Sequence, residues 1–450
     1  MTTTYWAEHA WLDTHAEPGV VIETGGDGGD RITAVRTGIT APPPGAAVLR
    51  GLTLPGLANT HSHAFHRALR ATTQTGTGTF WTWRETMYQV ASRLTPDTYH
   101  SLARAVYAEM ALAGISAVGE FHYLHHGPDG TPYADPNAMG EALIAAAADA
   151  GIRITLLDTV YLHGGLTRDG YRPLEGPQRR FGDGSLDGWY ARWSRLTPRQ
   201  HARTGAAIHS VRAFSATDGY GEFAARTHGV PVHIHLSEQP AENEACQAVH
   251  GTTPAGLLQR HGLWRPGVTA VHATHLTDQD IAVLGGAGAG VCMCPTTERD
   301  LADGIGPALA LQRAGSPLSL GSDSHAVIDL LEEARALELD ERLRTRIRGH
   351  WTAAALLRAA TADGHAALGW PEAGRLEPGA LADLTTLRLD SVRTAGAGPL
   401  RAVETAVFAA GAADVTDVVV SGRPVVRAGV HLAIPDTATA LSRAIGALHV

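Results

Sequence analysis

The sequence contains no lysine, and all 36 of its basic residues are arginines. This absence excludes mechanisms that need a lysine amine, such as Schiff-base formation or a lysine-dependent phosphate loop. It equally excludes a carboxylated lysine that bridges two metal ions. If the chain binds a catalytic metal, a site for one ion is therefore the simpler prediction.

Other absences restrict the cellular compartment and the classes of binding partner that the sequence predicts. The 450 residues include three cysteines, of which Cys292 and Cys294 alternate along an apolar run that predicts buried strand thiols. The sequence has no uncharged apolar stretch of about 18 residues and no N-terminal basic region followed by an apolar one. Its net charge is -9, without a basic block. We therefore expect a cytoplasmic protein that binds a small molecule, and neither nucleic acid nor a membrane.

What the sequence has instead is a regular alternation of short apolar runs and helix-length segments. Eight runs predict strands: Leu52–His63, Ile115–Tyr123, Ile152–Leu162, Gly205–Ala213, Val230–Glu238, Val268–Leu276, Gly288–Pro295 and Pro317–His325. Strands that alternate with helices predict a parallel α/β sheet, and eight is the number that closes into a (β/α)8 TIM barrel. A doubly wound open sheet is the alternative.

The position of the polar residues favours the closed barrel. Histidines and carboxylates cluster near the carboxyl ends of the predicted strands. In a closed barrel these ends meet at one mouth, where the active sites of this fold lie, whereas an open sheet would spread them apart. We therefore expect a catalytic barrel over residues 51–369.

Residues 1–50 and 370–450 have a different pattern. They are rich in β-branched residues and in Gly/Pro turns, with candidate strands at 31–37, 382–389 and 415–426. This pattern predicts that both termini contribute short antiparallel strands to one small β-sandwich domain beside the barrel.

The candidate metal ligands begin with His61 and His63, where the apolar run Leu52–Ala58 leads into His-Ser-His. Residues i and i+2 of a strand point to the same side, so both imidazoles can reach one ion. His235 in VHIHLSE and Asp323 in LGSDSH lie at the ends of the fifth and eighth strands. Three imidazoles and one carboxylate suit a single divalent cation, with zinc the first choice and iron(II) or manganese as alternatives.

Each of these ligands taken alone has a plainer explanation. Asp323 could cap a helix, and His235 could be a core histidine bound to a backbone carbonyl. Their common position at the ends of strands favours the metal site over these separate explanations.

Hydrolysis at a carbon–nitrogen centre also needs groups that move protons. Glu238 lies three residues beyond His235 and is the expected general acid. His272, at the end of the sixth strand, is expected to steer the proton of the attacking water together with Asp323, and His275 is the alternative. A histidine that only packs inside the barrel is the plainer explanation of His272.

These residues resemble the amidohydrolase superfamily over nearly the whole chain. The matching segments are PGLANTHSH, HIHLSE, the histidine of strand six, LGSDSH and the terminal pair GALADL and SGRPVVRAG. HxH, HxxE, a later His and SD in this order resemble the aminohydrolase branch, which hydrolyses amidine-like C–N bonds and releases ammonia. The resemblance implies a homodimer, a catalytic role for Glu238 and His272, and one zinc ion held by His61, His63, His235 and Asp323.

Within this branch, the segments HSHAFHRALR, FWTWRETMY, GEFHYLHH and IHSVRA resemble the enzymes that convert N-formimidoyl-L-glutamate and water to N-formyl-L-glutamate and ammonia. The resemblance suggests substrate contacts at Arg84, Tyr123, His209 and Arg212. The planar forks of the two arginines suit the two carboxylates of such a substrate. His66, a further expected contact, stands where we expect this family to carry a glutamine, and an imidazole cannot reproduce the paired donor and acceptor of an amide.

Two alternative functions use the same barrel. A deaminase of a ring amidine, such as a purine, pyrimidine or triazine, would use the same metal residues but would need aromatic stacking in place of anion clamps. A non-catalytic barrel that serves as a scaffold would have no working metal site, and the intact HxH, HxxE and SD elements argue against it.

Overall fold

The computed structural model describes residues 3–26, 29–74 and 78–448. Its strands are β1 (Thr3–Trp11), β2 (Ala16–Gly25), β3 (Arg31–Arg36), β4 (Ala47–Pro55), β5 (Leu57–Ser62), β6 (Ile115–His122), β7 (Arg153–Val160), β8 (Gly165–Thr167), β9 (Gly170–Arg172), β10 (Ala202–Ile208), β11 (Val232–Leu236), β12 (Val268–His272), β13 (Gly290–Met293), β14 (Leu318–Leu320), β15 (Leu384–Leu387), β16 (Val415–Val420), β17 (Arg423–Arg427) and β18 (Val430–His431).

The helices are α1 (Phe80–Arg93), α2 (Pro96–Leu112), α3 (Ala138–Ala150), α4 (Leu186–Trp193), α5 (Tyr220–Arg226), α6 (Pro240–His250), α7 (Pro254–Arg260), α8 (Asp278–Gly286), α9 (Pro295–Asp300), α10 (Ala308–Ala314), α11 (Leu330–Thr345), α12 (Ala353–Ala360), α13 (Ala362–Ala367), α14 (Ala402–Phe408) and α15 (Thr437–Gly446). Short 3-10 helices lie at Ala64–Leu69, Pro128–Gly130, Gly176–Arg180, Ala216–Asp218, Pro399–Arg401 and Ala412–Asp414. Within the described ranges, none of these helices combines the length and the apolar character needed to cross a membrane.

The predicted barrel is confirmed. Strands β5, β6, β7, β10, β11, β12, β13 and β14 pair in parallel in that order. A parallel bridge between Ser62 and Asp323 then joins the end of β5 to the segment that follows β14 and closes the ring. All residues of β6, β7, β11 and β12 are buried, as expected for parallel strands that are covered on both faces.

Local sequence signals explain where the barrel helices begin and end. At the start of α2, the Thr95 hydroxyl accepts a hydrogen bond from the Thr98 amide, and Pro96 occupies the first helical position, where a missing N–H costs nothing. At the end of α3, Gly151 adopts a φ of 74°, which a residue without a side chain tolerates well. The chain enters β7 two residues later, so this turn sets the start of a barrel strand.

The second predicted sheet, built from both termini, is also confirmed. It has eight strands in the order β18, β17, β16, β15, β4, β1, β2, β3. Its neighbours are antiparallel with one exception, because β1 and β4 pair in parallel. The sequence predicted antiparallel strands alone, since nothing in two short apolar runs records the direction in which they pair.

The first predicted strand, Leu52–His63, differs from the structure. Its first residues belong to β4 in the terminal sheet, whereas β5 in the barrel begins at Leu57. The chain passes between the two sheets at Gly56, where a Cβ would overlap the Ser116 hydroxyl, so the tight passage requires glycine. The predicted domain boundaries, with residues 1–50 and 370–450 in the β domain and residues 51–369 in the barrel domain, stay a prediction.

Candidate active site

Four metal-ligating side chains meet at the carboxyl ends of β5, β11 and β14. The ligand atoms of His61, His63, His235 and Asp323 all lie within 4.8 Å of one another, and all four side chains are buried. The Nε2 atoms of His61 and His235 are 3.1 Å apart. Asp323 Oδ1 lies 3.3 Å from Nε2 of His61 and 3.3 Å from Nε2 of His63. The structure thus brings together the four residues predicted from three separate segments.

The spacing and the protonation of these groups fit one divalent ion. Ligand atoms that share an ion at about 2.0–2.2 Å lie roughly 3–3.5 Å apart, which agrees with the observed separations. Nδ1 of His63 donates to the Phe121 carbonyl at 3.0 Å, and Nδ1 of His235 donates to the His209 carbonyl at 2.9 Å. The Nε2 atoms of His63 and His235 therefore each present a lone pair toward the group, as metal-ligating imidazoles do.

Burial keeps these imidazoles neutral, which is the form that binds metals. It lowers the pKa of His61 to about 3 and lowers the pKa of His63 and of His235 as well. Asp323 shows the opposite balance. Burial raises its pKa, but its hydrogen bond with His61 and the neighbouring imidazoles outweigh this effect and hold the pKa below its usual range. The group therefore offers three neutral nitrogens and one charged carboxylate.

Glu238 lies just beyond β11 and is held by an ion pair. Its Oε2 accepts a hydrogen bond from Arg212 Nη2 at 2.7 Å, and Arg212 Nε lies 3.2 Å from Oε2 of Glu242. Glu242 Oε1 in turn accepts from the Ser237 amide at 3.0 Å. The other oxygen of Glu238, Oε1, lies 3.9 Å from Nε2 of His272. The arrangement leaves Oε1 on the side of His272.

His272 ends β12 and faces three carboxylates, those of Glu238, Asp323 and Glu298. Its Nε2 lies 3.7 Å from Asp323 Oδ2, and its Nδ1 lies 3.4 Å from Oε1 of Glu298. Burial alone would lower the pKa of His272. The hydrogen bond with Glu298 and the negative charges of Glu238 and Asp323 outweigh it and raise the pKa to about 10. His272 is thus suited to hold a proton beside the metal ligands.

Backbone strain marks the same mouth of the barrel. Ser237, His272, Asp323 and His325 adopt φ values of 49°, 65°, 41° and 59°. Such left-handed conformations cost residues other than glycine of order 1–3 kcal/mol each and persist where the surrounding contacts hold them. The chain therefore turns sharply at the points where it presents the site residues.

A cavity opens above the four candidate ligands. Glu238 and His272 line this cavity. So do the five residues predicted to contact substrate, namely His66, Arg84, Tyr123, His209 and Arg212. Aromatic side chains form much of the remaining wall, namely Trp83, Tyr88, Tyr161 and Phe181. The predicted alternative to His272, His275, does not line this cavity.

The predicted contacts differ in what they bind within the protein. His66 Nε2 lies 3.1 Å from the Tyr123 hydroxyl. The guanidinium carbon of Arg84 lies 4.6 Å from the centre of the Trp81 ring and 5.6 Å from that of Tyr88. Among the described carboxylates none forms an ion pair with Arg84, whereas Arg212 already pairs with two.

Comparison with known proteins agrees with this geometry. The model of the amidohydrolase family matches residues 52–425, a range that includes all eight strands of the barrel. The chain belongs to the amidohydrolase family. The resemblance inferred from HSH, HIHLSE and LGSDSH is therefore confirmed.

Relatives of this amidohydrolase cover most of its length. It is 38% identical over 417 residues to a formimidoylglutamate deiminase of Pseudomonas aeruginosa, which is 90% of this chain and 91% of the relative. It is 32% identical over 377 residues to an 8-oxoguanine deaminase of the same organism, with 79% and 78% covered. A solved amidohydrolase from Brucella melitensis superimposes with a TM-score of 0.87 at 33% identity, and both chains are covered completely.

Glu298 is a residue of the amidohydrolase site that the sequence did not indicate. It lies in the segment PTTERD of α9, whose charges are typical of an exposed helix, yet its side chain is 5% exposed. Besides facing His272, its Oε1 accepts a hydrogen bond from the Cys294 amide at 2.9 Å. A carboxylate five residues beyond the end of the buried strand β13 is the signal that could have identified it.

A second group of metal-ligating residues in the amidohydrolase, formed by His122, His125 and Asp158, lies buried near the ends of β6 and β7. The fork of Arg192 occupies both oxygens of Asp158, at 2.7 and 2.9 Å. Trp189 Nε1 donates to the same carboxylate at 2.9 Å. Because the guanidinium already neutralises this carboxylate and would repel a cation, the group is an internal ion-pair network and not a metal site.

Proposed function

We propose that this amidohydrolase catalyses the hydrolytic deimination of N-formimidoyl-L-glutamate to N-formyl-L-glutamate and ammonia. The observation that carries the proposal is the similarity to a formimidoylglutamate deiminase over nine-tenths of both chains. The geometry supports it, because the four-ligand group lies at the floor of a cavity that also holds Arg84 and Arg212.

Zinc is the proposed ion, with His61, His63, His235 and Asp323 as its ligands. Three nitrogens and one carboxylate are a usual zinc set that leaves a position for water. When bound, the ion would lower the pKa of a water molecule toward neutrality and polarise the substrate. The other steps fall to side chains of this chain.

The proton transfers are assigned to Glu238 and to His272 with Asp323. Water adds to the formimidoyl carbon, and its proton passes toward His272 and Asp323, whose Nε2 and Oδ2 lie 3.7 Å apart. Glu238 Oε1 delivers a proton to the imino nitrogen. As the carbon–nitrogen bond breaks, the hydroxyl proton of the adduct passes to the departing nitrogen, ammonia leaves and the carbonyl of the N-formyl product forms. The water proton held by His272 and Asp323 then replaces the one that Glu238 gave.

Substrate binding is assigned to the side chains of the cavity wall. A guanidinium binds a carboxylate through two parallel hydrogen bonds. Arg84, whose cation rests on Trp81, is the proposed partner of one carboxylate. Arg212, Tyr123 and His209 are the proposed contacts of the other, and His66 adjoins them through Tyr123.

Ammonia release from N-formimidoyl-L-glutamate by the zinc-loaded protein tests this proposal. The comparison set is guanine, 8-oxoguanine, adenosine and cytosine, and the control is a protein stripped by a chelator and then reloaded. We expect release from the linear amidine alone, lost on stripping and restored on reloading. Release from a ring substrate at a higher kcat/KM would overturn the assignment.

A second candidate is a deaminase of a ring amidine. The similarity to an 8-oxoguanine deaminase favours it, as does the aromatic wall of the cavity, which suits a flat ring. We place it second because the relative covers less of the chain at lower identity. The same assay separates the two functions.

The family resemblance extends the proposal to a cytoplasmic homodimer that acts in histidine degradation. Light scattering coupled to size-exclusion chromatography measures the first point, and we expect a mass of twice 47.3 kDa. A monomeric mass with full activity would remove the dimer from the proposal.

A further inference from the structure

His325 lies behind the metal ligands, fully buried, at the place where the barrel closes. Its Nε2 is 3.1 Å from the hydroxyl of Ser62, and its Nδ1 is 3.1 Å from the hydroxyl of Ser322. Ser62 stands between two ligand histidines on β5, and Ser322 directly precedes Asp323 after β14. One imidazole thus connects the two strand ends that carry three of the four ligands.

Asn59 fixes the direction of these hydrogen bonds at one end. Its Oδ1 accepts the Ser322 amide at 2.9 Å, so its Nδ2 must face the Ser322 hydroxyl, which lies at 2.7 Å. The Ser322 oxygen therefore accepts from Asn59, and its proton is directed to Nδ1 of His325. His325 must then carry its own proton on Nε2.

Glu120 fixes the direction at the other end. Its Oε1 accepts the Ala64 amide at 2.6 Å, and its Oε2 accepts the Ser62 hydroxyl at 2.7 Å. Since the Ser62 proton goes to Glu120, the Ser62 oxygen is left to accept from Nε2–H of His325. Burial raises the pKa of Glu120 to about 8, against the effect of these two hydrogen bonds. With Glu120 ionised, both ends require the same neutral tautomer of His325, so each member of the line has the donor or acceptor that its neighbour needs.

Other contacts join the same two strand ends: Asn59 on β5 binds Ser322 directly, and Arg70 Nε donates to the His325 carbonyl at 2.6 Å. The backbone contributes the bridge between Ser62 and Asp323, with the Asp323 amide donating to the His61 carbonyl at 3.0 Å and the His63 amide donating to the Asp323 carbonyl at 3.3 Å. Asp323 and His325 both adopt left-handed φ values, a conformation that persists only where its surroundings hold it. The side-chain line through His325 is one of the contacts that hold this segment, together with the hydrogen bonds from Arg70 to the His325 carbonyl and from the Ser324 amide to the Thr297 hydroxyl.

We propose that His325 is a positioning residue that ties the ligand-bearing ends of β5 and β14 together, within a line of hydrogen bonds directed by Asn59 and Glu120. The inference rests on the metal-dependent function proposed above, although not on the identity of the substrate. It assigns His325 no contact with the reacting atoms. Its effect is on how firmly the ligands are held in place for one ion.

Competition for zinc with a chromophoric chelator tests the proposal without any substrate. We expect His325→Ala to bind zinc about 10- to 100-fold more weakly, the usual loss when a group that orients metal ligands is removed. His325→Gln keeps a donor for Ser62 and should recover part of the affinity. Glu120→Gln has the same shape and should weaken zinc binding too. Its NH2 group would face a donor at either oxygen position, the Ser62 hydroxyl or the Ala64 amide, so one hydrogen bond at this end of the line would be lost.

His365 is the matched control. It is equally buried, and its Nε2 hydrogen-bonds the Gly56 carbonyl at 3.0 Å, just before β5 begins. We expect His365→Ala to lower the urea midpoint but to bind zinc as the wild type does. An equal loss of zinc affinity in this variant would show a general loss of stability and overturn the positioning role.

Two further results would also decide against the proposal. Wild-type zinc affinity in His325→Ala would show that His325 does not position the ligands. Wild-type zinc affinity in Glu120→Gln would show that Glu120 does not direct the hydrogen bonds through His325. If His325→Ala does not fold, His325→Gln and Glu120→Gln carry the same comparison. A wild-type protein that takes up no zinc would overturn the metal site and the proposed function together, which is a distinct result.

Discussion

Replacement of Arg84 by methionine is the sharpest test of how the cavity recognises a dicarboxylate. Methionine keeps the apolar contact with Trp81 and Tyr88 but removes the charge. Because Arg84 has no ion-pair partner among the described carboxylates, the variant leaves no buried carboxylate behind. Its effect should therefore report the loss of a substrate contact and not a loss of stability.

The expected magnitude follows from the strength of a charge-assisted hydrogen bond. Such a bond contributes about 1.5–3 kcal/mol, and each 1.4 kcal/mol corresponds to about a factor of ten. Arg84→Met should therefore lower kcat/KM for N-formimidoyl-L-glutamate roughly 10- to 150-fold. The guanidinium already rests on the Trp81 ring at 4.6 Å, so little side-chain freedom is lost on binding, which favours the upper half of this range.

A double-mutant-type cycle with an amide analogue of the substrate isolates the interaction between Arg84 and the side-chain carboxylate. The second substrate is N-formimidoyl-L-glutamine, in which the side-chain carboxylate is an amide, and the control variant is Arg179→Met, an exposed arginine outside the cavity. If Arg84 binds that carboxylate, Arg84→Met should lower kcat/KM much less with the amide analogue than with N-formimidoyl-L-glutamate. Arg179→Met should behave as the wild type with both substrates. An equal loss on both substrates would refute the reasoning.

Three further predictions concern other groups. Glu238→Gln should lower turnover by at least about 100-fold with the zinc content unchanged, as measured by ammonia release and metal analysis, and retained release would remove its role as general acid. His66→Gln should stay within about tenfold of wild-type kcat/KM because an amide can still bond the Tyr123 hydroxyl, whereas His66→Phe should lose more; equal activity of the two variants would contradict this contact. Arg192→Leu should lower the free energy of unfolding in urea by about 3–5 kcal/mol, because it leaves Asp158 and a second carboxylate buried without their cation, and a change below about 1 kcal/mol would contradict that account.

The fold was predictable wherever an apolar run ended in a polar group. All eight barrel strands were located in this way, because a parallel strand covered on both faces must be apolar along its length. The passage from β4 to β5 was not predictable. Residues on both sides of Gly56 are buried, so a single apolar run spans two sheets, and only the close approach of Ser116 shows where one ends.

The group of candidate metal ligands was predictable because three different segments carry metal-ligating side chains at the ends of their strands. Glu298 and Glu242 were not, since charges on short helices are typical of exposed surface and nothing in the sequence records their burial. His325 was visible in SDSH, but its role depends on the directions of hydrogen bonds to residues that lie far away in the chain. Sequence patterns give the donors and acceptors, whereas their pairing needs the closed barrel.

The absence of lysine has a structural counterpart in the buried arginines. Arg212 joins Glu238 to Glu242, and Arg192 joins Asp158 to Asp183, so in each case one planar fork spans two buried carboxylates. A lysine ammonium is a point charge and could not hold both partners in fixed orientations.

For Glu238 this orientation has a chemical consequence, because its two oxygens are no longer equivalent. Oε2 is engaged by Arg212 at 2.7 Å, so Oε1, 3.9 Å from His272, is the oxygen placed to carry a proton to the substrate. In the proposed mechanism, Arg212 would therefore act on catalysis through the orientation of Glu238, in addition to its proposed contact with a carboxylate of the substrate.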